Sequence, residues 1–156
     1  MKILIKKEVA NKIKNAVIKA GKNEIKGACY AVQKECNVFE IEDVYISPKI
    51  GTFSFSNLVV SFKYKKFEKQ YFKKHNYEYE KHNYIGDWHS HPSFELIPSL
   101  YDKKEAIDEL KKSNAYFLVQ LIVKVIDDEL QMKCYYYNSN TIAELCETFI
   151  VDDNPV

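Results

Sequence analysis

The sequence predicts an α/β domain, a mixed β-sheet flanked by helices. Hydrophobic periodicity switches repeatedly between the two-residue period of strands and the 3.6-residue period of helices, in the order β-α-β-β-β-α-β-α-β-β-α. The chain has 156 residues, 46% hydrophobic and 29% charged, which suits one folded domain with a core of its own. No internal repeat, linker or low-complexity run interrupts it. Residues 1–156 therefore read as a single domain, with a core over about 3–150.

Residues 2–6 read as a short opening strand. Over 8–20, Val9, Ile13, Ala16, Val17 and Ala20 fall on one helical stripe with lysines between them, and Gly21 supplies the stop. The β-rich runs 24–36 and 38–46, separated by Asn37, predict an antiparallel hairpin. Pro48 to Gly51 breaks the pattern, after which 53–56 alternates and 58–62 extends as a further strand with a bulge between. Residues 64–75 read as a helix with Tyr64, Phe67 and Tyr71 on one face, and 83–91 as a strand. A helix over 99–113 would turn Leu100, Ile107 and Leu110 inward. Strands at 115–126 and 130–137 pair through a turn at Asp127-Asp128, with Tyr135-Tyr136-Tyr137 as strand surface. A closing helix over 140–150 and a tail from Asp152 complete the reading.

The composition excludes several functions. The net charge is +1, so no global field gathers nucleic acid or anionic membrane. Every basic residue is lysine, which rules out arginine clamps on carboxylate or phosphate. Lysines and tyrosines interleave over 63–81, but Glu68, Glu78 and Glu80 dilute the charge, and a solvated amphipathic helix explains the run without nucleic acid. Cys29, Cys36, Cys134 and Cys146 contain no C-x-x-C pair and read as reduced core thiols of a cytosolic protein. The N-terminus is charged too early for a signal peptide, and no run approaches a membrane span. The expected location is the cytoplasm, with no membrane partner.

The chemistry concentrates in Ile85-Gly86-Asp87-Trp88-His89-Ser90-His91-Pro92, continued by Pro98-Ser99-Leu100-Tyr101-Asp102. On a strand, side chains at i and i+2 leave the same face, so His89 and His91 can converge. With Asp102 they form a sufficient ligand set for a catalytic zinc, the fourth position being left to water. Ser99 and Asp102 also fit a capping box, and a carboxylate held in the first turn of a helix suits ligation. Alternation puts Asp87 on the same face, where it can orient a ligand histidine or contact substrate; a place behind the ligands or in solvent is favoured over direct ligation. A metal hydrolase also needs a base, which spacing alone does not select among the acidic residues.

This stretch resembles the signature of the JAB-domain (JAMM/MPN) metalloproteases: a distant glutamate, then H-x-H, ten residues, and an aspartate with a serine three before it. Glu24-Ile25-Lys26-Gly27-Ala28-Cys29-Tyr30-Ala31 resembles the family's upstream motif, a glutamate before a small-residue run that opens a strand. Gly27 and Ala31 match its small positions, and Lys26 stands where bacterial members often have glycine. The resemblance covers roughly residues 3–135. It implies the JAB/MPN fold, similar to that of cytidine deaminases. It also implies one zinc ion on His89, His91 and Asp102 with a catalytic water. Glu24 would pass the water's proton to the leaving amine, and Ser99 would bind the oxyanion.

The same resemblance implies cleavage of a peptide or isopeptide bond after the C-terminus of a ubiquitin-like protein. The Gly-Asp-Trp-His form is similar to proteases encoded beside ubiquitin-transfer-like enzymes in anti-phage operons, which makes such enzymes expected partners. A peptidase that processes sulfur-carrier proteins and a non-catalytic MPN-type interaction scaffold both stay open. A nucleobase deaminase is excluded by the missing His-x-Glu and Pro-Cys-x-x-Cys, and an H-E-x-x-H peptidase by the absence of that pattern.

Overall fold

A computed structural model describes residues 1–48 and 61–153. The elements are β1 (Lys2–Lys6), α1 (Lys7–Ala20), β2 (Lys26–Glu35), β3 (Val38–Ile46), α2 (Phe62–Lys74), β4 (His82–Ser90), α3 (Leu100–Ser113), β5 (Leu118–Ile126), β6 (Glu129–Tyr137), β7 (Glu144–Leu145) and β8 (Glu147–Val151). The strands form one mixed sheet in the order β7-β6-β5-β4-β2-β3-β1-β8. β2 pairs antiparallel with both β3 and β4, whereas β4 runs parallel to β5. Of the break and strands expected from Pro48 to Phe62, residues 49–60 lie outside the described residues. Ser61 caps α2 by accepting from the Tyr64 amide, and Phe62 opens that helix.

The helices divide between the two faces of the sheet. Val9, Ile13 and Val17 of α1 pack with Ile3, Cys29, Ile41 and Trp88. On the opposite face Tyr64 and Tyr71 of α2 meet Ala28, Tyr30 and Tyr45, and Ala106 of α3 meets Leu96, Ile122, Tyr135 and Tyr137. The tyrosines of the lysine-rich helix are thus core anchors: Tyr64 and Tyr30 share a hydrogen bond at 2.7 Å, and Glu68 accepts from Tyr30. The β5–β6 hairpin turns at Asp127 and Asp128, both with positive φ, the combination that matches the twist of the strands it joins. No described helix is long and apolar enough to cross a membrane.

Four sequence expectations need correction. The closing helix over 140–150 is replaced by β7 and β8. Leu145 and Glu144 pair with β6, residues 147–151 pair with β1, and the open sheet edges outweigh local helical spacing. Tyr135 and Tyr137 are buried rather than surface residues, because the strand period puts both under α3 and the loop before it. Leu100 is 85% exposed, since it is the first residue of α3 and precedes the turn that docks through Ala106 and Leu110. Cys36 sits exposed at the β2–β3 turn, unlike the three buried cysteines.

Gly27 fixes how β2 meets its neighbours. A Cβ there would collide with the Tyr45 carbonyl and the Trp88 indole, and through that gap Trp88 Nε1 donates to Tyr45 O at 2.9 Å. Gly27→Ala should destabilise the protein by about 3 kcal/mol, read as a lower urea midpoint at unchanged slope.

Candidate metal centre

The register of β2 against β4 builds one wall of the site. Lys26 lies opposite His89 and Ala28 opposite Asp87, so even positions of β2 and odd positions of β4 share a face. Glu24, just before β2, and His91, just after β4, both line a cavity of about 420 Å³ together with Lys26, His89, Ser99 and Asp102. His91 is held in line beyond the end of β4 by its amide, which donates to Val123 O at 2.9 Å. Gly86 permits the approach of β4 to β5: its φ is +153°, and a Cβ would collide with the backbone of Val119.

The second wall is the start of α3. Ser99 is its N-cap and accepts from the Asp102 amide at 3.1 Å, while the Asp102 carboxylate accepts from the Ser99 amide at 2.7 Å. Buried Gln120 donates to the Asp102 carbonyl at 3.2 Å and accepts from the Tyr137 hydroxyl at 3.0 Å, tying this turn to the sheet. Tyr135 donates to Leu96 O at 2.6 Å and pins the connecting loop. Tyr135, Tyr137 and Gln120 are supports that sequence reading missed. Only the two-residue period marked them, and without the layer above it could not say which face was covered.

His89, His91 and Asp102 meet in the cavity. The two Nε2 atoms are 3.1 Å apart, His89 Nε2 is 3.4 Å from Asp102 Oδ1, and His91 Nε2 is 3.3 Å from Asp102 Oδ2. A tetrahedral zinc with ligands at 2.0–2.1 Å separates its donors by about 3.3 Å; the two Nε2 atoms lie near that spacing, each with a different Asp102 oxygen at it, so the donor set is of the right kind and scale for that ion. The outer ring nitrogens are occupied. His89 Nδ1 is 3.2 Å from Asp87 Oδ2, and His91 Nδ1 is 2.8 Å from Glu95 O, which turns both Nε2 atoms inward. Asp87 therefore stands behind a histidine.

Both histidines are buried. Burial disfavours the charged form of His89, but its bonds to Asp102 and Asp87 and their charges outweigh this and raise its pKa to about 9. Burial likewise opposes ionisation of Asp102, yet the bonds from His89 and His91 hold it well below the usual carboxylate range.

Glu42, His75 and His82 form a second group close enough to hold a metal, but two of the contacts to Glu42 are those of hydrogen bonds, shorter than a zinc edge. Glu42 Oε1 is 2.6 Å from both the Tyr71 hydroxyl and His82 Nδ1, at hydrogen-bonding distance. The His75 and His82 rings stack 4.0 Å apart at 20°, and both turn a nitrogen to Glu42 Oε1, His75 Nε2 at 3.3 Å. This cluster is a hydrogen-bonded joint between α2, β3 and β4.

The family model for prokaryotic homologs of the JAB domain matches residues 7–135. The chain belongs to that family. The JAB-domain family includes zinc metalloproteases as well as members without catalysis. A JAB1/MPN domain protein from Archaeoglobus fulgidus has a similar structure, with a TM-score of 0.55 and 19% identity over 97% of this chain and 99% of that one. A protein from Desulfitobacterium hafniense solved in solution is also similar, with a TM-score of 0.69 and 17% identity over 97% of this chain and 94% of that one. These likenesses show a shared JAB/MPN fold. No curated protein sequence matches significantly.

Metal-free protein should take up one zinc ion per chain, measured by competition with a chromogenic chelator, and His89→Ala or Asp102→Ala should abolish uptake. Asp87→Asn should weaken it by about 10–100-fold. His89 must lose its proton to ligate, so apparent affinity should rise about tenfold per pH unit as pH climbs from 6.5 toward 9. The stability of the metal-free protein should move oppositely. The folded pKa of His89 lies above its ordinary value, so its contribution is complete below pH 6.5 and lost as pH rises through about 9.

Proposed function

We propose that this protein is a zinc-dependent metallopeptidase that cleaves the peptide or isopeptide bond after the C-terminus of a ubiquitin-like protein. The observation that carries the reading is the convergence of His89, His91 and Asp102 within reach of one ion, in one cavity with Glu24 and Ser99. In this reading the three residues ligate zinc, which when bound acidifies water and polarises the scissile carbonyl.

Glu24 stands on the cavity wall as the general base. It accepts a proton from water and returns it to the leaving nitrogen, so one carboxylate serves both halves of the reaction. Ser99 has a lone pair engaged by the Asp102 amide, which leaves its hydroxyl proton to donate to the oxyanion that forms at the carbonyl. Asp87 and the Glu95 carbonyl hold the imidazoles in the ligating orientation.

The cavity rim suits an extended chain. Phe94 and Ile97 are 66% and 51% exposed on the loop side and offer apolar contact beside the polar centre. The Lys26–Glu105 pair, at 3.5 Å, joins the β2 wall to α3, with Tyr101 donating to Glu105 at 3.1 Å. Family membership supports the choice of a ubiquitin-like substrate, and ubiquitin-transfer-like enzymes are the partners this reading proposes.

The test is cleavage of a linear ubiquitin-like fusion and of an isopeptide-linked conjugate by the zinc-loaded protein. Glu24→Gln should retain zinc and lose cleavage of both, and a chelator should stop the wild type. Cleavage that survives either treatment would sink the mechanism. Ser99→Ala should keep zinc and lower turnover by about 100–1,000-fold. The same change should destabilise the fold by about 1 kcal/mol through the lost cap, seen as a lower melting temperature.

A further inference from the structure

We propose that Ser90, between the two histidines, is the positioning residue for Glu24. The β2–β4 ladder runs regularly as far as the pair Lys26 and His89. The next pair, Ile25 and Ser90, keeps one of its two expected bonds: Ser90 N donates to Ile25 O at 2.9 Å. In a regular antiparallel pair the Ile25 amide would donate back to the Ser90 carbonyl. Here it donates to Ser90 Oγ, at 3.0 Å. A side-chain oxygen has taken the place of a main-chain one, and the chain before β2 leaves the sheet at that point.

Glu24 is the first residue past this departure, and its direction follows from the peptide that Ser90 clamps. The clamp is dry: Ser90 is fully buried and Ile25 is 5% exposed, so water cannot replace the hydroxyl. Ser90 is covalently joined to His89 and His91. One residue thereby sets the distance between the carboxylate that moves the proton and the imidazoles that face it. A hydroxyl on Cβ has the required reach. Alanine leaves the Ile25 amide without its acceptor, while threonine keeps the oxygen on a strand that favours β-branched residues.

This inference rests on Glu24 being the general base, so the experiment carries one readout that needs no activity. Wild type, Ser90→Ala and Ser90→Thr are compared for zinc content, kcat and KM on the ubiquitin-like fusion, and hydrogen exchange at the Ile25 amide. Ser90→Ala should keep one zinc per chain and a KM near wild type, with kcat lower by about 100-fold, the size expected when a reacting group is misplaced by about 1 Å. Its Ile25 amide should exchange faster, and Ser90→Thr should restore both kcat and protection. Wild-type kcat in Ser90→Ala overturns the proposal, as does loss of zinc in step with activity, because Ser90 would then act through the ligands. If wild type cleaves nothing, the hydrolase reading fails and exchange decides alone: unchanged protection in Ser90→Ala overturns the clamp, and protection lost in alanine but regained in threonine supports it.

Discussion

Opposite residues of an antiparallel pair leave the sheet on the same side, so Lys26 shares the face of His89, and the chain just before it brings Glu24 into one cavity with two histidines more than sixty positions away. A slip of one residue between β2 and β4 would move either Lys26 or His89 to the α1 side. The register is held from behind. Trp88, fully buried on the α1 face, reaches across the space left by Gly27 to the Tyr45 carbonyl, and so ties β4 to β3 through β2. The tight passage of Gly86 against Val119 ties β4 to β5 on its other edge. The short motif around His89 thus combines residues that face the cavity with residues that lock the strand in place.

The contribution of α3 obeys a different constraint. Asp102 receives its position from the first turn of α3, which Ser99 caps, and the helix is in turn anchored through Gln120 and Tyr137. Neither its carboxylate nor the two imidazoles is free to relax away, since the outer nitrogens of both rings are engaged as well. Three donors packed at hydrogen-bonding distance, two of them basic and one acidic, share protons in the absence of a metal. That is why His89 is pushed toward its charged form and Asp102 is held ionised.

The parts of this arrangement that depend on local periodicity were legible in the sequence. The convergence of His89 with His91, the capping box of Ser99 and Asp102, the shared face of Asp87 and the tyrosine face of α2 all follow from spacing along one element; that Asp87 stands behind His89 took the structure. Glu24 was reachable only through resemblance, because its partner strand is remote in sequence and any glutamate could have filled the role. The misread elements fail for a common reason. Residues 140–150 carry apolar spacing compatible with either structure, and open sheet edges decided it; Tyr135 and Tyr137 have a clear period, and the layer above decided which side was inside. Ser90 was invisible as more than a spacer, since its importance lies in a backbone bond that composition does not record.

The outer edge of the sheet introduces a constraint of timing. β1 lies between β3 and β8, and its second row of main-chain bonds is made only with residues 147–151. Every residue of the cavity wall lies at or before Asp102, and its supports end at Tyr137, so the site's parts have all been synthesised before β8 exists. A nascent or truncated chain that stops short of Glu147 therefore carries a complete set of cavity residues beside an uncovered parallel edge. Such an edge is a template for another chain. β8 adds no residue to the cavity wall; it covers β1 and becomes, among the described strands, the edge of the sheet on that side.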